Sequence, residues 1–155
     1  MNQPITRRSA VIGIAATAVL PTAAAAQSSE IWSVGEAHDA LQQDLIRMID
    51  VRSRQEWAET GLADRAWAIS LHEDRFPERL FAARALAEGR PVALICATGG
   101  RSGSVMRSLR QAGYSGFVDV SEGMLGSARG PGWIAAGLPV VDMDAALAAL
   151  PETLV

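Results

Sequence analysis

Val92-Ala93-Leu94-Ile95-Cys96-Ala97-Thr98-Gly99-Gly100-Arg101-Ser102 is the stretch whose reading decides the fold. It opens as an unbroken apolar run, the pattern of a strand buried on both faces. Two glycines break the run, and Val105, Met106 and Leu109 then fall on one face of a helix over 102–112, stopped by Gly113. On the C-terminal side, 117–120 reads as another strand, 126–136 as irregular and then helical, and 144–150 as a closing helix. On the N-terminal side, 77–88 has helical spacing and ends at Gly89, while 67–71 and 45–51 read as strands. Short helical segments at 36–43 and 54–60 separate them. Strands alternating with helices predict one α/β domain, a mostly parallel central sheet with helices on both faces.

The whole chain agrees with that reading. Its 155 residues suit one domain and suffice to bury a core, hiding roughly 70% of the unfolded surface. The 49% hydrophobic content excludes low-complexity disorder. A single cysteine and two histidines exclude a disulfide scaffold and a Cys/His zinc cage, so no metal or other cofactor is expected. All 14 basic residues are arginine, and without lysine there is no phosphate-binding P-loop.

Residues 1–26 have the organisation of a bacterial export signal. Thr6-Arg7-Arg8-Ser9 supplies the basic start and resembles the twin-arginine type, with Ala10 where that pattern usually has Phe. The apolar run over 10–20 is 11 residues long and is followed by Pro21, too short for a spanning helix of roughly 20. Ala24-Ala25-Ala26 offers a small-residue cleavage site. Cleavage there would leave 155 − 26 = 129 residues, and losing two arginines takes the formal charge from −3 to −5. The expectation is a periplasmic protein with no stable membrane insertion after cleavage and no nucleic-acid partner.

Chemistry concentrates at the end of the buried run. Ligands of open α/β sheets bind outside the carboxyl ends of the strands, where Cys96 stands. Gly99 and Gly100 let the backbone turn tightly and aim several N–H groups at one point, and the following helix adds its own unpaired N–H groups and positive dipole end. Such a cradle favours a thiolate and an anion beside it. No acid occurs between Glu88 and Asp119, whereas Arg90, Arg101, Arg107 and Arg110 all do. A cysteine ending an apolar strand is often only a small buried hydrophobe. The glycines, the helix start and the acid-free surroundings favour a site.

Cys96-x-x-Gly99-x-Arg101 resembles the six-residue active loop of the rhodanese-like sulfurtransferases. Ile49-Asp50-Val51-Arg52 with Glu56-Trp57 is similar to an early motif of that family, and 107–113 followed by 117–123 to its helix–strand–Glu-Gly segment. Trp133-Ile134-Ala135-Ala136-Gly137-Leu138-Pro139-Val140 resembles its closing motif, so the likeness runs over about 33–141 and leaves 142–155 as a helical tail. Two stretches depart from the family. Thr60-Gly61-Leu62-Ala63-Asp64-Arg65-Ala66 stands where Gly-His-Ile-Pro-Gly-Ala is common, and 72–75 is charged. Both bear on substrate choice and neither touches the loop.

The resemblance implies a two-step transfer of sulfane sulfur. Cys96 would attack a donor such as thiosulfate or a persulfide, carry the sulfur as its own persulfide, and yield it to a thiophile (cyanide, or a thiol of a small molecule or protein). The N–H groups of Ala97, Thr98, Gly99, Gly100 and Ser102 would hold the bound anion. Arg101 would clamp the loop with partial substrate contact, and Arg52 would reach the same mouth or pair with Asp50 or Glu56. Asp50 reads as structural support near the strand end. Ser102 is the expected helix cap, and Trp133, beside Gly130-Pro131-Gly132, is the candidate pocket wall. His38 and His72 lack a cysteine near them in sequence and carry no assigned role.

Two other classes compete. A non-enzymatic sulfur carrier would share the first half-reaction. A phosphatase or arsenate reductase would use a related cysteine loop, but four residues separate Cys96 from Arg101 whereas that pattern has five, and no resolving cysteine exists.

Overall fold

The computed structural model describes residues 30–155. The export-signal reading of 1–26 lies outside the described residues. Five strands, β1 (Ile31–Trp32), β2 (Arg47–Asp50), β4 (Trp67–Ala68), β5 (Val92–Ile95) and β6 (Phe117–Val120), form one sheet in the order β1-β6-β5-β2-β4. Every pairing in it is parallel. The helices are α1 (Val34–Gln42), α2 (Arg54–Thr60), α3 (Phe76–Leu86), α4 (Gly100–Gln111), α5 (Gly132–Ala135) and α6 (Met143–Ala148). A short antiparallel pair, β3 (Leu62–Ala63) with β7 (Val140–Val141), and a final 3₁₀ turn at Glu152–Leu154 complete the chain.

Alternation along the strands divides the core between the two faces. Met48, Ala93, Ile95, Val118 and Val120 pack with α1 and Trp133. Ile49, Val51, Val92, Leu94, Cys96 and Phe117 pack with α3 and α4. β5, in the middle, is buried at all four residues, which is why its sequence shows no polar alternation. The chain runs from β2 out to β4, then returns to place β5 on the other side of β2. The carboxyl ends of β2 and β5 therefore flank the topological switch point.

Local chemistry fixes the helix starts. Ser33 with Glu36, and Ser53 with Glu56, form complete capping boxes on α1 and α2. α4 starts differently. Gly99 caps it at φ +83° with no side-chain hydrogen bond, so the helix begins at Gly100, two residues before the expected start, and Ser102 is no cap. Trp133 is also corrected: it is fully buried against α1, its indole N–H donating to Pro139 O at 2.8 Å, and forms no pocket wall.

Candidate active site

Cys96 directly follows β5 and is 1% exposed. Its Sγ accepts a hydrogen bond from Gly99 N–H at 3.2 Å and lies 3.4 Å from Ser102 Oγ. Gly99 N–H is the loop amide bonded to the sulfur among the described residues, fewer than the set of amides expected from Ala97 to Ser102. The first turn of α4 adds amides that no preceding carbonyl of the helix can satisfy. Donors and a positive dipole end aimed at one sulfur stabilise negative charge that develops there.

The loop keeps its shape because the segment after β6 closes on it. Met124 N–H donates to Cys96 O at 2.8 Å and Leu125 N–H to Ala97 O at 2.9 Å. At Gly99 a Cβ would stand 2.1 Å from Ser121 O, and the positive φ is left-handed, so only glycine fits. Thr98 and Gly100 lie exposed on the outer side of the turn.

Arg101 and Arg52 differ in what they do. Arg101 makes a two-pronged pair with Glu56 of α2, at 2.7 and 2.5 Å, and its side chain is 31% exposed. The Arg101 guanidinium, with smaller help from the Ser53 cap, holds the Glu56 carboxyl well below its ordinary range, at about 2, although burial works the other way. Arg101 is itself raised, chiefly by Glu56. His72 Nε2 sits 3.3 Å from the same guanidinium, so the charged 72–75 stretch reaches the loop's rim.

Arg52 is corrected as a substrate-binding residue. It has no exposed surface, and its guanidinium is spent on Asp50 (Nη2–Oδ2 2.7 Å), Thr60 Oγ1 (2.8 Å) and Gly61 O (2.6 Å). Asp50, equally buried, accepts from Arg52 N–H at 3.0 Å, so the two close the corner between β2 and α2. The atypical Thr60-Gly61 stretch supplies that corner's acceptors, and Leu62–Ala63 continues into β3.

Three residues of the site went unassigned in sequence. Glu56, which the sequence offers as a partner for Arg52, pairs instead with Arg101, 45 positions on. His72 has no role of its own in the sequence beyond opening the charged 72–75 stretch. Asp119 did give a signal, as a lone acid in a four-residue strand that is otherwise apolar.

A parallel α/β sheet with a buried cysteine at its switch point and a glycine-initiated helix behind the sulfur defines the class of the fold. The chain belongs to the rhodanese-like domain family, which matches residues 33–127. It is 35% identical over 101 residues to the uncharacterized protein slr1261 of Synechocystis sp., covering 64% of this chain and 49% of that one. The chain thus spans about half the length of the curated relative it matches. Among solved structures it resembles the 30 kDa polysulfide-sulfur transferase homodimer from Wolinella succinogenes (TM-score 0.51, 25% identity, 72% of this chain and 77% of that one). The human single-domain sulfurtransferase TSTD1 is similar with a TM-score of 0.47 and 24% identity, over 61% of this chain and 91% of that one.

Proposed function

We propose that this protein is a periplasmic sulfurtransferase. It moves sulfane sulfur from thiosulfate or a persulfide to a thiophilic acceptor, cyanide or a thiol, through a persulfide on Cys96. The observation that carries the reading is the sulfur at the floor of the loop, bonded by Gly99 N–H at 3.2 Å at the N-terminus of α4. The family and the likeness to a polysulfide-sulfur transferase support it.

The thiolate of Cys96 attacks the outer sulfur of the donor. A new S–S bond forms, the donor's S–S bond breaks, and sulfite or a thiolate leaves. The acceptor then attacks the carried sulfur, that S–S bond breaks, and the electron pair returns to Sγ. Because the cysteine is 1% exposed, the donor presents its terminal sulfur and its body stays at the mouth. Arg101 braces the loop through Glu56, and its remaining exposed edge faces the donor.

Intact mass of the reduced protein, before and after thiosulfate or a small persulfide, tests this. The expected result is a gain of one sulfur atom, discharged by cyanide and absent in Cys96→Ala. No gain from either donor, with the protein folded and Cys96 reduced, overturns the reading. Loading without repeated turnover on small acceptors makes the protein a carrier instead.

The periplasmic assignment draws on Arg7-Arg8, the short apolar run and the alanine site. A single thiol suits that compartment, since no internal disulfide can consume it. Periplasmic protein beginning at Gln27, lost when both arginines become lysine, is the expected outcome. Full-length protein retained inside the cell would refute it.

A further inference from the structure

The charged stretch that opens at His72 reaches the rim of the loop, and the transfer derived above gives that histidine no work. After β4 the chain keeps running beside β2: Ile69 N–H donates to Asp50 O at 3.3 Å and Leu71 N–H to Val51 O at 3.1 Å. That continuation carries His72 to the carboxyl edge of the sheet, where Cys96 stands. Leu71 packs against the apolar cluster that contains Cys96. His72 N–H then donates to Oγ of the buried Ser70 at 3.2 Å, and Glu73 N–H to Ser70 O at 3.3 Å. The turn is pinned while His72 itself stays exposed.

The imidazole meets the loop's arginine. Nε2 lies 3.3 Å from Arg101 Nη1, and a guanidinium can only donate, so neutral His72 accepts there and carries its own proton on Nδ1. The same Nη1 donates to the Glu56 carboxylate at 2.7 Å. The residue after Arg101 is Ser102, whose Oγ is 3.4 Å from Cys96 Sγ, so this contact stands one residue from the sulfur's own surroundings.

Charged groups stand around His72 on every element that meets it. Arg101 comes from α4, Glu56 and Arg54 from α2, and Glu73, Asp74 and Arg75 from its own stretch, with Arg79 of α3 bound to Glu73. Most are already engaged. Glu56 is spent on Arg101, Glu73 is shared by Arg54 at 2.9 Å and Arg79, and Arg75 pairs with Glu78 at 3.2 Å. Asp74 is exposed to solvent. Arg101 and Glu56 cancel, so the contact carries no net charge while His72 is neutral. A proton on Nε2 removes the acceptor and sets a second cation beside the first.

We propose that His72 sets which charge of sulfur donor the mouth takes. Neutral, it accepts from Arg101 Nη1 and helps hold that guanidinium against Glu56, and the rim has no net charge to offer a donor. Protonated from water, it cannot accept, two cations share the rim beside one carboxylate, and small donors with two negative charges are drawn to the sulfur. Histidine is the side chain that changes charge between about pH 5 and 8, so the choice shifts toward dianionic donors on the acid side of neutrality. His72 does not touch the reacting sulfur. It acts on specificity through the charge of the rim.

This role rests on Cys96 being the sulfur nucleophile, but its test needs no sulfur donor. Iodoacetate and iodoacetamide both alkylate a thiolate, forming an S–C bond as iodide leaves, and they differ by one negative charge. The ratio of their rates on Cys96 therefore cancels the thiolate fraction and reads the charge at the mouth. Intact mass would follow both reagents between about pH 5 and 8, the range over which histidine changes charge. In the unmodified protein the iodoacetate-to-iodoacetamide ratio should rise about threefold toward the acid end, the attraction of one added charge several ångströms away at a wet rim. His72→Gln should keep the ratio at its neutral-pH value throughout, and His72→Arg should keep it raised throughout. His38, on α1 against Trp133, remains in both variants, so its titration cancels. If either variant fails to fold, the other decides. A ratio that is flat in the unmodified protein, or that rises as steeply in His72→Gln, overturns the proposal. So does failure of both reagents to reach Cys96 in the folded protein. The expected ratios with no sulfur gained from thiosulfate or a persulfide would sink the sulfur-transfer reading alone.

Discussion

Two arginine–carboxylate pairs stand at the same edge of the sheet, and they do opposite work. Arg52–Asp50 stands at the end of β2 and has side-chain exposures of 1% and 0%. Arg101–Glu56 ends the loop after β5 and has 31% and 26%. The buried pair has all its surroundings filled by Thr60 and Gly61, and nothing of it is left to meet a substrate. The outer pair ties the loop to α2 through a carboxylate that also completes the α2 capping box, so one residue sets both the helix start and the position of the loop's arginine. Chemically similar pairs thus become a corner brace in one place and an adjustable rim in the other, and burial decides which.

Breaking the buried pair should have the larger effect. Arg52→Met leaves Asp50 buried and uncompensated, and should cost about 3–5 kcal/mol of unfolding free energy, read by denaturant titration. Adding Asp50→Asn removes the orphaned charge and should recover part of that loss, because a neutral side chain needs no cation. A single variant as stable as the unmodified protein would contradict the buried-brace reading.

The same contrast explains which parts were legible in sequence. The run 92–95, the glycine turn and the following helix were readable because burial on both faces and a backbone reversal leave local signatures. β1, β3 and β7 were not, since each is two residues long and, unlike β4 at the start of 67–71, stands in no longer strand-like run. Arg52 was placed at the mouth because the strand's direction points there, whereas the acceptors of Thr60 and Gly61, eight and nine residues on, draw it into the corner. Ser102 looked like a cap because serine beside a helix start usually is one. The left-handed Gly99 began the helix earlier and freed the hydroxyl to face the sulfur. Asp119 could have been found by asking why a parallel sheet's buried strand carries an acid.

The outer pair offers a finer test, because its contribution depends on pH. Glu56→Gln keeps a capping-box side chain on α2, since glutamine serves there as glutamate does, but removes the charge that Arg101 grips. A loss of about 1–2 kcal/mol at neutral pH is expected for a half-buried, charge-assisted pair. The Glu56 carboxyl is held at about 2 in the folded protein, below its ordinary 4.5, so its ionised form favours folding. That contribution is complete above pH 4.5 and disappears as pH falls through about 2. The stability gap between the two proteins should therefore be flat at neutral pH, narrow below pH 4.5 and close near pH 2. A gap that stays constant through this range would mean Glu56 acts only through its cap, and that Arg101 is held at the rim by something other than the charge of its partner.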